Sequence, residues 1–233
     1  AVPEIGEVTD YIRVLDRSGY FETVTLSEDD LKRNDMYRAN AQRAKAQSRF
    51  ADYHDYLLSL EMTAEIGDFS PLYLQRITQL TNKSNQFNLT TKRYTAEQME
   101  AVYNSDEYIR LYGKLYDKFG DNGVVAVTIG KTDSEDKGRL DIELWLMSCR
   151  VLKRDMELAM LDSLVEQAKK RGIREIYGHY YPTAKNKMVA GLYESFGFEK
   201  ISQDEEGNTA WRLLVEGYED KNTVIKVKEE HYA

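Results

Sequence analysis

The stretch Leu144-Trp-Leu-Met-Ser-Cys-Arg-Val-Leu-Lys-Arg-Asp-Met-Glu157 sets the architecture, because two periodicities meet inside it. Ahead of it and into it, Leu140, Ile142, Leu144 and Leu146 alternate and then merge into an apolar run, the pattern of a buried strand over 139–149. After it, Met156, Met160, Leu161, Leu164, Val165 and Ala168 repeat on one helical face, and Gly172 stops the helix. Asp155 stands at the helix start as its cap. A strand that runs through a tight turn into a long helix presents unpaired backbone N–H groups at a positive helix end, which suits a pyrophosphate.

Working outward, a strand is expected from Ile173 to Tyr180, ended by Pro182. An amphipathic helix over 186–196 stops at Gly197, and strands over 198–202 and 209–216 flank the turn Glu205-Glu-Gly-Asn208. Upstream, 107–117 and 123–131 read as strands joined by Gly120-Asp-Asn-Gly123, a hairpin turn, with a polar loop at Thr132–Gly138. Ser70-Pro71 opens a helix carrying Leu74, Ile77 and Leu80, and Thr95-Ala-Glu-Gln98 is a capping box ahead of Met99 and Val102. Phe87 and Leu89 read as a short strand, and Gly67-Asp68 as a break. Residues 1–26 form an extended lead-in with a short helix at Tyr11–Leu15. Ser27 then starts an unbroken helix to about Leu60, with Phe50, Tyr53, Leu57 and Leu60 on its apolar face. The tail 217–233 is charged and peripheral. Central hairpins followed by helical crossovers make an α/β chain with a mixed sheet.

At 233 residues the chain is one large domain, or one with an appendage. A net charge of −8 argues against a general nucleic-acid binder. Cys149 is the only cysteine, which excludes an internal disulfide framework and any multi-cysteine zinc site. With His54, His179 and His231 the only histidines, no metal is expected. No apolar run is long enough to span a membrane, and the acidic opening is no signal peptide. A soluble protein of the reducing cytoplasm is expected. Ala1 in place of Met fits a piece of a longer polypeptide or a chain that has lost its initiator.

Two segments carry a resemblance. Arg150-Val-Leu-Lys153-Arg-Asp155 falls on the Arg/Gln-x-x-Gly-x-Gly/Ala turn of the GNAT acyltransferases, and Tyr193-Glu-Ser-Phe-Gly-Phe198 on their Tyr-x-x-x-Gly-Phe ending. Lys153 and Asp155 depart from that pattern, standing where the family has small residues. Asn82 through Thr95, Phe119-Gly-Asp-Asn-Gly123, Leu146 through Leu152 and Tyr181-Pro-Thr-Ala-Lys-Asn186 resemble the C-terminal half of FkbH-like proteins, and the opening through Asp35-Met-Tyr37 resembles the segment after their HAD-type core. Nearly the whole chain is covered. The family joins a HAD domain to a GNAT-like part and is implicated in loading a glyceryl unit onto an acyl carrier protein for methoxymalonyl-type extender units. The HAD nucleophile motif Asp-x-Asp is missing near the start, so that chemistry is not expected here. The resemblance implies a connector over 1–62, a GNAT-like α/β domain over 63–216 and the tail 217–233.

It also implies site residues, each with a bland alternative. Arg150, Val151, Leu152, Lys153, Arg154 and Asp155 are candidates to cradle the diphosphate of acetyl-CoA or another acyl-CoA, or form an ordinary turn. Tyr193 is a candidate general acid for the departing thiolate, or a core tyrosine. A backbone N–H near Met147 would hold the oxyanion. Asn186 would bind the cofactor or cap a helix. Glu143 is a candidate general base or a solvated strand carboxylate, and His179 a proton acceptor or a packed histidine. Cys149 is expected to be a small buried thiol. Lys92-Arg93, Lys185 and Lys187 are expected on a solvated surface. Acyl transfer from acyl-CoA or a carrier-protein thioester is the leading function. The alternative is a non-catalytic module that docks an acyl carrier protein or an upstream HAD domain. The side chains of Lys153 and Asp155 predict weak CoA binding in either case.

Overall fold

A computed structural model of the chain describes residues 33–228. The readings at Tyr11–Leu15, Ser27 and His231 lie outside them. The described residues fall into two units, one ending at Gln42 and one beginning at Arg43. Residues 33–42, all of the first unit that is described, are the opening of helix α1 (Arg33–Gln47). The second unit holds the sheet and every candidate site residue.

After α1 and a break come α2 (Tyr53–Ser59), β1 (Thr63–Asp68), α3 (Pro71–Lys83) and α4 (Ala96–Tyr103). Then come β2 (Tyr108–Asp117), β3 (Gly120–Thr132) and β4 (Arg139–Met147), the long helix α5 (Met156–Lys170) and β5 (Glu175–Tyr180). The short helix α6 (Leu192–Ser195) precedes β6 (Glu199–Gln203), β7 (Thr209–Leu214) and β8 (Lys226–Lys228). One sheet holds all eight strands, in the order β6-β7-β5-β4-β3-β2-β1-β8. The β2–β3–β4 meander is antiparallel, while β4 and β5 run parallel across the α5 crossover. This is the mixed, helix-flanked α/β sheet that the pattern predicts.

The two faces carry different helices. On one, α2, α5 and α6 cover Ala64, Ile66, Leu111, Leu115, Trp145, Met147 and Ile176. On the other, α3 and α4 cover Tyr112, Val127, Ile129, Leu144 and Leu146. Gly113 lets α5 lie flat on the sheet, because a Cβ there would run into Met156 and Met160. Pro71 at the first turn of α3, the reciprocal Thr95–Gln98 box of α4 and the left-handed Gly172 after α5 stand as expected.

Several elements differ from expectation. The first long helix breaks before α2, since the Asp52 carboxylate accepts the Asp55 N–H at 3.0 Å and caps a new start. Leu57 and Leu60 are buried, but Phe50 and Tyr53 are exposed. Thr63–Asp68 is a strand, with Gly67 inside it and only Ala64 and Ile66 as its inward pair. The Phe87–Leu89 segment makes a single bridge, Asn88 to Leu146. The 186–196 region is a 3-10 turn followed by the four-residue α6. The described part of the tail, 217–228, is not peripheral: Val224 and Ile225 are buried and β8 pairs in parallel with β1.

Candidate functional site

The parallel pairing of β4 and β5 covers only Arg139–Asp141 and Glu175–Tyr177, and beyond it the strands part. A bulge bends β4 at the point of parting, since Ile129 and Gly130 of β3 face Leu144 and Ile142 and leave Glu143 as the extra residue. Diverging strands expose backbone edges to any ligand able to pair with them. Here the chain fills the gap itself. Leu89 N–H donates to the Trp145 carbonyl at 3.1 Å, Met147 N–H donates to the Phe87 carbonyl at 3.0 Å, and Tyr181 N–H donates to the Leu89 carbonyl at 3.0 Å. Met147, the expected oxyanion donor, therefore has its N–H engaged. Asn186 locks the same segment. It is fully buried, its Nδ2 donates to the carbonyls of Asn88 and Tyr181 at 2.9 Å each, and its Oδ1 accepts from the Thr183 N–H at 2.7 Å. The Asn186 amide is thus occupied within the chain, and its side chain makes no cap bond at the 3-10 turn beyond it.

The turn after β4 keeps a glycine-like backbone without glycine. Lys153 and Asp155 have φ of 62° and 58°, the left-handed region. Asp155 occupies the N-cap position, but its side chain makes no cap bond, because the left-handed backbone does not hold it in the extended N-cap conformation. Arg154 turns inward and is buried. It pairs with Asp117 at 3.0 Å and donates to the Arg150 carbonyl at 2.9 Å. Arg43 pairs with the same Asp117 at 2.8 Å. Tyr53 of α2 donates its hydroxyl to the Lys153 carbonyl at 2.6 Å, so α2 covers the turn. Val151 is core, Leu152 packs against the core and Arg150 is half-buried. Cys149 differs from expectation: it is exposed, because it stands on the turn past the strand end. At the start of α5, burial raises the carboxyls of Asp155 and Glu157 above their ordinary values. Two acids there oppose the anion that a helix N-terminus favours.

Tyr193 lies in the core on the α5 face, against Gly178, where a Cβ would enter its ring. Its hydroxyl is buried and completes no hydrogen bond. Burial pushes the phenol far above its ordinary value, and the nearby His179 backbone N–H offsets this only in part.

Glu143 and His179 sit on the other face. Glu143 Oε2 accepts from Lys92 Nζ at 2.6 Å and from the Tyr94 hydroxyl at 3.0 Å. Burial and the Glu143 carboxylate drive the Tyr94 phenol up. His179 Nε2 meets Asp141 Oδ1 at 3.3 Å, and Arg139 grips the same carboxylate with two bonds of 2.7 Å. Burial raises the Asp141 carboxyl, but the His179 and Arg139 bonds outweigh it and hold it below its ordinary value. These groups surround an open cleft of about 430 Å³ lined by Thr90, Lys92, Asp141, Ile142, Glu143, His179 and Tyr181. Glu143 and Tyr193, the two expected catalytic side chains, are thus on opposite faces of the sheet. Sequence reasoning missed Asp141, Tyr94, Thr90 and Tyr181. The signal for Asp141 was its place two residues ahead of Glu143 on an alternating strand, while the other three needed the tertiary fold. Among the described residues no cluster of metal-ligating side chains occurs, and no helix is long and apolar enough to cross a membrane.

No family model and no curated protein matches the sequence. Solved structures do match the fold. The ribosomal-protein-S18-alanine N-acetyltransferase from Escherichia coli superposes with a TM-score of 0.50 at 13% identity, over 69% of this chain and 99% of that one. The GNAT domain of S. lividans PAT gives 0.51 at 15%, over 65% and 90%. A putative acetyltransferase from Salmonella typhimurium, solved with its cofactor acetyl-CoA, gives 0.50 at 14%, over 68% and 96%. At these identities the likeness establishes architecture alone. The fold is that of the GNAT acyl-CoA N-acyltransferases.

Proposed function

We propose that this chain is a partner-binding module on the GNAT fold and does not use acyl-CoA. One observation carries the reading: Phe87–Leu89 makes strand-like hydrogen bonds to both β4 and the residue immediately after β5. The Salmonella neighbour carries acetyl-CoA, but three of the groups the resemblance assigns to such a cofactor, Met147, Asn186 and Arg154, are engaged internally here. Phe87 takes the Met147 N–H, Asn88 and Tyr181 take the Asn186 amide, and Asp117 takes Arg154. The similarity to FkbH-like proteins supplies the partner, an acyl carrier protein or a HAD-type domain joined through the residues that precede the sheet. Calorimetric titration of the chain with acetyl-CoA should give no binding heat. Micromolar binding overturns the proposal.

Acyl transfer from a thioester is the second reading, and the buried, unpartnered Tyr193 hydroxyl favours it. In that reading an acceptor nucleophile attacks the thioester carbonyl, the C–S bond breaks, and Tyr193 gives its proton to the leaving thiolate. Tyr193→Phe keeps the ring and should lower turnover about 100-fold or more. An unchanged rate with a thioester substrate removes Tyr193 from the chemistry.

A further inference from the structure

The cleft around Glu143 and His179 shares only the Tyr181 backbone with the internally engaged contacts, and its chemistry selects a ligand. Its charges balance. Glu143 is matched by Lys92 and Asp141 by Arg139, so neither a phosphate nor a bare ammonium meets an uncompensated opposite charge. Its hydrogen-bonding capacity is not exhausted. Lys92 and Tyr94 both use Glu143 Oε2, leaving Oε1 open. His179 engages Asp141 through Nε2, leaving Nδ1 open. In the neutral imidazole, Asp141, clamped by Arg139, favours the proton on Nε2, which makes Nδ1 an acceptor. Lys92 has donors to spare, and the Tyr181 hydroxyl has no partner among the described residues. The site therefore offers open acceptors beside open donors, with each carboxylate matched by a cation.

Its wall is aromatic. The rings of His179 and Tyr181 lie nearly parallel, 16° apart with centroids at 6.3 Å, and Tyr181 is 43% exposed. Ile142 supplies an apolar contact. A ligand that donates and accepts through several neutral groups, and also presents an apolar C–H face to an aromatic wall, is a sugar ring. We propose that this cleft binds a neutral pyranose-type sugar, with hydroxyls donating to Glu143 Oε1 and His179 Nδ1 and accepting from Lys92, while its ring rests against Tyr181. The site goes beyond the partner-binding role and stands or falls separately from it.

Saturation-transfer NMR with methyl β-D-glucopyranoside tests the proposal on the full chain, with glucose 6-phosphate and glucosamine as charged counterparts. The neutral sugar should receive saturation and the charged ones markedly less. Glu143→Gln removes a charged acceptor and should weaken binding about tenfold. Tyr181→Ala removes an exposed wall residue and should do the same, with circular dichroism showing both variants folded. Absence of transfer to the neutral sugar overturns the proposal. So does transfer that survives both substitutions, or a stronger response from either charged sugar.

Discussion

The Asn186 side chain ties together two segments 98 residues apart, donating from Nδ2 to the Asn88 carbonyl at 2.9 Å. The same nitrogen reaches the Tyr181 carbonyl, so one amide holds the inserted Phe87–Leu89 segment against the residue immediately after β5. Asn186→Ala leaves both carbonyls and the Thr183 N–H without their partner. A buried polar group left unpaired costs about 1–3 kcal/mol. We expect a loss of about 3 kcal/mol, read as a lower urea midpoint with an unchanged slope. Amide exchange at Leu89 and Met147 should quicken, because their bonds depend on the segment staying in place. An unchanged midpoint would show that water replaces the amide without cost.

The left-handed turn gives a second expectation. A non-glycine residue in that region carries about 1 kcal/mol of strain, which glycine avoids. At Asp155 the capping side chain makes no bond, so its removal forfeits no hydrogen bond. Asp155→Gly should therefore stabilise the chain by about 0.5 kcal/mol at most, because the greater freedom of glycine in the unfolded state offsets part of the relieved strain. Lys153→Gly, at φ 62°, should act in the same direction. Thermal unfolding at fixed pH measures both. A lower Tm in either variant would mean that the side chain holds the turn through a contact that glycine cannot make.

Much of this fold is legible in the sequence because its signals are local. The alternation of β4, the stripe of α5, Gly172 and the Thr95–Gln98 box each act within a few residues. β1 escaped because Gly67 reads as a break, whereas pairing with β2 decides its state. The Phe87–Leu89 segment reads as a short strand, but its insertion between β4 and the end of β5 escaped for a related reason: it bonds to residues about sixty and ninety positions away. At the candidate site, the types and places of Glu143 and His179 were readable. Their separation from Tyr193 by the sheet was not, because strand parity around the bulge assigns the faces.

Asp117 makes a third test. Its side chain is fully buried between Arg43 and Arg154, themselves 6% and 9% exposed, and Asn122 donates to it at 3.3 Å. Removing one member of a buried charge group strands the others, at about 3–5 kcal/mol. Asp117→Asn should fall in that range and loosen the turn that Arg154 anchors. Replacing all three, as Arg43→Met, Asp117→Leu and Arg154→Met, should recover most of the loss. Equal damage from the single and triple changes would assign the loss to packing instead of charge.

Glu157 predicts how stability depends on pH. Burial raises its carboxyl above the ordinary value, Asp155 adds to the rise, and its own backbone N–H opposes it. One carboxylate oxygen is buried with no partner. The folded state therefore holds this proton more tightly than the unfolded chain does. Below the ordinary glutamate range both states are protonated and the group costs nothing. As pH rises through that range and past the folded value, folding must accept a buried charge, so stability is lost upward in pH. Glu157→Gln removes the titration and nearly keeps the shape. The variant should match the parent at acid pH and exceed it at neutral pH, with the gap opening across the interval between the unfolded and folded values. Urea unfolding of both proteins from about pH 4 to about pH 8 measures that gap. A constant difference across the series would mean that Glu157 acts through its size, and a gap that closes as pH rises would mean that the positive end of α5 outweighs burial and stabilises the carboxylate.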